Sequence, residues 1–175
     1  MISGVKQASL FEEATPVGPA IAGLSYIAGY IDESTEEALL ELIGSQPWMN
    51  DLKRRVQHYG WQYDYRARNV TSDLRIGALP DWLQHYAVRL QQEGLFAEMP
   101  DQVIINEYQP GQGISVHIDC VPCFADTIAS LSIGSPCVMD FTHSKTGEKS
   151  SLLLEPRSLL VLTGDARYGR QHAIA

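Results

Sequence analysis

Gln102-Val103-Ile104-Ile105-Asn106-Glu107-Tyr108-Gln109-Pro110-Gly111-Gln112-Gly113-Ile114-Ser115-Val116-His117-Ile118-Asp119 holds two short apolar, β-branched runs parted by a Pro-Gly-Gln-Gly turn. Runs of this length between turn residues read as strands, here Val103 to Glu107 and Ile114 to Ile118. The pattern continues downstream through Thr127 to Ile133, Val138 to Phe141, Ser151 to Leu154, Leu159 to Leu162 and Arg167 to Ile174. Gly134-Ser135-Pro136, Thr146-Gly147-Glu148 and Pro156-Arg157 supply the turns between them. No helical pattern alternates with these strands, which excludes a parallel sheet and predicts a double antiparallel sheet. Upstream, Ser34-Thr35-Glu36-Glu37 offers a Ser N-cap followed by Leu39, Leu40, Leu42 and Ile43, predicting a helix to about Ser45 that Pro47 stops. Pro80-Asp81 opens a second helix carrying Trp82, Leu83, Tyr86 and Leu90, and Gly94 closes it. The fold class is therefore α+β, with a double-stranded β-helix (jelly-roll) core supported by two helices in the N-terminal half.

The chain has 175 residues, 45% hydrophobic and 19% charged, which suits one globular domain over 1–175 and excludes disordered, collagenous and disulfide-scaffold classes. The longest apolar run, Ala20 to Ile31, is too short to span a bilayer. Only Lys6 precedes it as a cation, against Glu12 and Glu13, so no signal peptide is read. A cytoplasmic monomer that does not engage membranes is expected. The formal charge of −8 argues against a protein that coats duplex DNA with its whole surface. Yet Lys53, Arg54, Arg55, Arg66, Arg68 and Arg75 gather in one stretch against only Asp64 and Asp73. Three cysteines, an odd number, form no secreted framework. Cys120-Val121-Pro122-Cys123 lacks the further ligands of a zinc site and the βαβ context of a redox dithiol, so these thiols read as loop and core residues. His58, His85 and His143 have no partner at ligand spacing and read as surface or packing residues.

His117 and Asp119 stand two apart in a strand pattern, on one face, where imidazole and carboxylate can converge. His172 lies in the last strand pattern, which a double sheet can return beside the first. Two histidines and one carboxylate make the facial triad of non-haem Fe(II) oxygenases, with positions left open for cosubstrate and dioxygen. An H-x-D pair is also common as ordinary surface or hydrogen-bonding residues, and spacing alone leaves both readings standing.

Three blocks go further. Ile105-Asn106-Glu107-Tyr108 leading into His117-Ile118-Asp119, then Ile128-Ala129-Ser130-Leu131-Ser132-Ile133-Gly134-Ser135, then Ser158-Leu159-Leu160-Val161-Leu162-Thr163-Gly164-Asp165-Ala166-Arg167-Tyr168 with His172, resemble in order and spacing the AlkB family of 2-oxoglutarate, Fe(II)-dependent dioxygenases. The likeness spans Ile21 to Ala175 and is greatest to the branch containing the tRNA wobble-uridine hydroxylase, which has a segment similar to Arg54-Arg55-Val56-Gln57-His58-Tyr59-Gly60. It implies that His117, Asp119 and His172 bind iron, that Asn106 and Tyr108 contact 2-oxoglutarate, and that dioxygen is the oxidant. A C–H bond of the substrate would be oxidised while 2-oxoglutarate becomes succinate and carbon dioxide. An N-methyl group would leave as formaldehyde, whereas a carbon-linked group would stay hydroxylated.

The basic stretch lies where the family carries a nucleotide-recognition lid, so residues up to about 100 are expected to form helices and lid and residues 101–175 the core. Tyr59, Trp61, Tyr63 and Tyr65 alternate, and as a strand they would present one face of rings beside Arg54, Arg55, Arg66 and Arg68. Rings among cations suit a single-stranded or flipped base with its phosphates, with Trp61, Tyr63, Tyr65, Arg54 and Arg55 as the substrate contacts. An aromatic core strand with a solvated flank is the plain alternative. The resemblance also implies a further strand beyond the distal histidine with two arginines, one for the far carboxylate of 2-oxoglutarate. The sequence ends three residues after His172, and no arginine in it takes that role by position. Competing functions are a protein or small-molecule hydroxylase of the same chemistry and an inactive binding module.

Overall fold

The computed structural model describes residues 19–50 and 52–175. Lys6, Glu12 and Glu13, on which the reading of the N-terminus rests, lie outside the described residues. Nine strands and three helices follow in chain order: β1 (Leu24–Ile27), α1 (Glu33–Ser45), β2 (Arg55–Tyr59), α2 (Asp81–Gln92), β3 (Val103–Glu107), β4 (Ile114–His117), β5 (Ile128–Leu131), β6 (Cys137–His143), β7 (Lys149–Leu154), β8 (Leu159–Leu162), α3 (Gly164–Tyr168) and β9 (Arg170–Ile174). They form a three-stranded sheet in the order β1-β8-β5, a β2-β3 pair, and a four-stranded sheet in the order β4-β9-β6-β7, every pairing antiparallel. This is the mixed helix and antiparallel jelly-roll fold that the sequence predicts.

Strand β8 shows how the layers stack. Side chains alternate across a strand, so Leu160 and Leu162 join Met139, Phe141, Leu152 and Leu154 between the two sheets, while Leu159 and Val161 join Leu39 and Ile43 of α1 on the other side. All four residues of β8 are buried, the mark of a strand covered on both faces. Helix α2 adds Trp82, Tyr86 and Leu90 to the outer cluster and seats Leu83 and Ala87 beside Val103 of β3.

Several expectations need correction. Helix α1 is capped by Asp32, whose Oδ1 accepts from the Thr35 N–H at 2.8 Å, and not by Ser34. The Asp carboxylate outcompetes a Ser hydroxyl at the positive helix end, and the helix starts earlier than the Ser-Glu spacing implies. The last strand begins at Arg170, because Gly164–Tyr168 coil into the short α3. The alternating aromatics form no single strand. Strand β2 ends at Tyr59, and Gly60 turns the chain with φ of +78°, where a Cβ would meet the Asp101 carbonyl oxygen at 1.8 Å. Finally, Cys120 and Cys123 are joined as a disulfide, Cα–Cα 5.2 Å, rather than standing as separate thiols; the turn Cys120–Phe124 brings them together.

Glu36 of α1 is the buried polar tie between helix and sheets. Its carboxylate accepts from the Gly134 N–H and from Arg157 Nη1, at 2.8 and 2.7 Å. The Gly134 bond, set against the cost of burial and helped by Arg157, holds its pKa below the ordinary 4.5. Glu36→Ala is expected to lower stability by about 1–3 kcal/mol, since it removes a charge-assisted bond to the Gly134 N–H and the pair with Arg157. Because the folded pKa is depressed, this stability is present at neutral pH and is lost as pH falls through the folded value. The difference in Tm between wild type and variant should therefore shrink as pH falls from 4.5 through the depressed folded value, as thermal scans across pH would show.

Candidate metal centre

His117 is the last residue of β4 and pairs directly with His172 of β9, across a ladder whose register shifts between Ile114 and His117. Directly opposed side chains of an antiparallel pair lie close together, and the two imidazole centroids are 4.4 Å apart. Asp119 lies beyond the strand, since β4 ends one residue sooner than predicted, yet its carboxylate still turns back to both rings. His117 Nε2 lies 3.6 Å from one Asp119 oxygen and His172 Nε2 lies 3.7 Å from the other. One ligand atom from each residue falls within 4.8 Å of the other two. Among the described residues this is the one group of three such donors so placed.

The chemistry of the three donors fits a divalent ion. His117 Nδ1–H donates to the Ser115 carbonyl at 2.7 Å, which fixes the tautomer and leaves the Nε2 lone pair for a metal. Burial pushes Asp119 up, but the contact with His117 and the charges of His172, His117 and Arg167 outweigh it, so the group is held below the usual carboxylate range. Burial pushes His172 down and keeps it neutral, the form that binds metal. Burial also presses His117 down, but Asp119 and the Ser115 carbonyl raise it above the ordinary 6.5.

The second layer was not foreseen. Arg167 of α3 is only 2% exposed, and its guanidinium donates to the carbonyls of Asp119, Cys120 and Phe124 at 3.0, 3.4 and 3.4 Å. It staples the loop that carries Asp119 to the helix before β9. The sequence offered no signal for this, because only the turn of α3 points the side chain inward.

Strands β2 and β3 supply the floor. Asn106 lies in β3 opposite Val56 of β2, and Tyr108 stands just past the end of the strand, so the two do not share a strand face as the sequence predicts. Arg54 joins them: its Nε donates to Asn106 Oδ1 at 2.7 Å, and its guanidinium carbon stands 5.7 Å from the Tyr65 ring centroid and 5.9 Å from that of Tyr108. Tyr63 stacks edge-on against Tyr65, and tilts over Phe124 at 5.6 Å. The remaining expected contacts stand elsewhere. Arg55 binds Glu107 and lies over Trp48, 4.4 Å from its ring centroid. Trp61 Nε1–H donates to Asp101. So Arg54, Tyr63 and Tyr65 gather with Asn106 and Tyr108, while Arg55 and Trp61 do not. His58 packs edge-on against Tyr65 and accepts from the Tyr63 N–H, in keeping with a packing role.

The family model described as the 2OG-Fe(II) oxygenase superfamily matches residues 23–175. A mouse protein named tRNA (carboxymethyluridine(34)-5-O)-methyltransferase ALKBH8 is 40% identical over 160 residues, covering 87% of this chain and 24% of its own length. The Arabidopsis thaliana alkylated DNA repair protein ALKBH8 homolog is 35% identical over 176 residues, covering 88% of this chain and 51% of its own. The chain belongs to the AlkB family of 2-oxoglutarate, Fe(II)-dependent dioxygenases. It spans between about a quarter and a half of the length of these two AlkB relatives. The solved structure of OsALKBH1 shares the AlkB fold with it at a TM-score of 0.68 and 13% identity, over 87% of this chain and 84% of the other. The cofactors of the superfamily are Fe(II), 2-oxoglutarate and dioxygen. No helix among the described residues is long and apolar enough to cross a membrane.

Proposed function

We propose that this chain is a dioxygenase domain that oxidises an alkyl or other carbon substituent on a base of RNA or DNA. The observation that carries the reading is the junction of two sets of residues: the His117, Asp119 and His172 donors within 4.8 Å, and the aromatic and cationic group of Arg54, Tyr63 and Tyr65 beside Asn106 and Tyr108. The two relatives' names speak of a tRNA uridine and of alkylated DNA, and both suit a nucleic-acid substrate.

In this reading His117, Asp119 and His172 hold the iron, and Asn106 and Tyr108 hold 2-oxoglutarate. When bound, iron and 2-oxoglutarate supply an oxidant strong enough to attack a C–H bond, with succinate and carbon dioxide released. The chain's own work is positional. Arg167 fixes the carboxylate's loop, and Ser115 fixes the His117 tautomer. Tyr63 and Tyr65 offer ring faces to a base taken out of its stack, and the exposed Arg66, Arg68 and Arg75 face its phosphates.

The test is mass spectrometry of nucleosides after incubating modified oligonucleotides with Fe(II), ascorbate and 2-oxoglutarate. Gain of one oxygen, or loss of an N-methyl group with formaldehyde, is expected with wild type and is absent with Asp119→Ala. Unchanged nucleosides across RNA and DNA substrates, with succinate still formed on a peptide, would transfer the activity to a protein hydroxylase.

Binding gives a further expectation. Arg66→Glu with Arg68→Glu should weaken single-stranded oligonucleotide binding and flatten its salt dependence by about 0.7 in slope per lost phosphate contact. Tyr63→Ala should cost about 1–3 kcal/mol through lost stacking. Fluorescence anisotropy at several salt concentrations measures both.

A further inference from the structure

Arg54, expected from the sequence as a substrate contact, has partners in the structure that define its role further. It precedes β2, far in sequence from the triad, and its neighbour Arg55 is neutralised by Glu107 while Arg54 pairs with no carboxylate among the described residues. The single hydrogen bond its guanidinium makes there uses Nε, to Asn106, so the two Nη groups remain as donors. Tyr65 and Tyr108 flank the guanidinium, and the buried Tyr65 hydroxyl has Arg54 beside it but makes no bond of full hydrogen-bond geometry. Arg54 lies close enough to lower the His117 pKa, and Asp119 close enough to raise that of Tyr108, so this cluster neighbours the triad. The other arginine near the triad, Arg167, is committed to three carbonyls and is not free to bind a ligand.

Charge decides what such a group is for. A divalent ion on Asp119 leaves one net positive charge, and a bound dicarboxylate brings two negative ones. One further cation brings the site to neutrality, and a guanidinium held at Nε by a neutral amide presents its Nη edge as a fork that matches a carboxylate. We infer that Arg54, with the Tyr65 hydroxyl, is a carboxylate anchor at the triad, built from the segment before β2 and distinct from any arginine that follows His172. The inference rests on the dioxygenase reading above. The carboxylate can come from 2-oxoglutarate or from a substrate base that carries one, and the two sources separate by experiment.

The measurement is calorimetric titration into the full chain loaded with Mn(II) under nitrogen, so that no turnover occurs. One arm titrates 2-oxoglutarate, and the other titrates 5-carboxymethyluridine with uridine as its uncharged control. Arg54→Gln is expected to weaken binding by about 10- to 100-fold in the arm whose carboxylate it holds, the range for a lost charge-assisted hydrogen bond. Arg54→Lys, which keeps the charge and loses the fork, should recover part of the loss. Mn(II) affinity should not change in either variant, which separates loss of an anchor from collapse of the triad. Weakened binding in the first arm assigns the anchor to the cosubstrate, and in the second to the substrate. Wild-type affinity of both variants in both arms would overturn the inference. A wild type that binds Mn(II) but takes up no 2-oxoglutarate would instead contradict the dioxygenase reading itself.

Discussion

Asp119→Ala and His117→Ala are each expected to abolish measurable Fe(II) binding and all 2-oxoglutarate turnover while leaving the fold intact. The donors are three, so each removal takes a third of the chelate, and the loss should exceed the 10–100-fold cost typical of removing a mere supporting group. The fold survives because its core lies between the sheets. Phe141, Leu154 and Leu160 are buried there, and neither mutated side chain belongs to that cluster. Proton competition adds a second signature. His117 is held above 6.5, so protons displace the metal from it as pH falls through that raised value, and affinity in the wild type should decline already above pH 6.5. Anaerobic titration of Fe(II) across pH, with Tm as the control for folding, measures both effects. Wild-type affinity in either variant would remove that residue from the centre.

Arg167→Met should be the most destabilising single change near the site. Methionine keeps an apolar stem but is shorter than arginine and lacks its charge and donors, so three carbonyls lose their donor. An unpaired buried carbonyl costs about 1–3 kcal/mol, and relief from burying a guanidinium offsets part of the sum, leaving about 2–4 kcal/mol. For a chain of this size that is a fall in Tm of about 4–16 °C. Metal should partly rescue it, because binding at Asp119 restores the loop from the other side. Thermal unfolding with and without Mn(II) tests this. A variant with wild-type Tm in both conditions would show that the staple contributes nothing.

The strands of the core were legible in the sequence because each is a short apolar run fenced by Pro and Gly, and β3 and β7 to β8 fall where those fences put them. Strands β1 and β2 were not. Leu24–Ile27 lies inside a longer apolar run with no turn residue before Gly29 to mark its end, and Arg55–Tyr59 alternates too weakly against its basic flank. The pairing of His117 with Asp119 followed from spacing, although a bend past β4, and not a shared strand face, brings the carboxylate round. That His172 would lie directly across from His117 depended on β9 returning between β4 and β6, a matter of topology that spacing suggests but does not set. The sequence marked Arg54 as a substrate contact and Arg167 only as part of the last strand pattern. One is turned onto Asn106 and the other into the protein by contacts distant in the chain, which no local pattern encodes.

The most direct test of the centre is anomalous diffraction from crystals grown with Mn(II) and 2-oxoglutarate, recorded on the high-energy side of the manganese edge. A single strong peak is predicted about 2 Å from His117 Nε2, His172 Nε2 and one Asp119 oxygen, with 2-oxoglutarate bound to the same ion on the side of Asn106 and Tyr108. A peak that omits any of the three, or a cosubstrate bound away from that ion, would contradict the account.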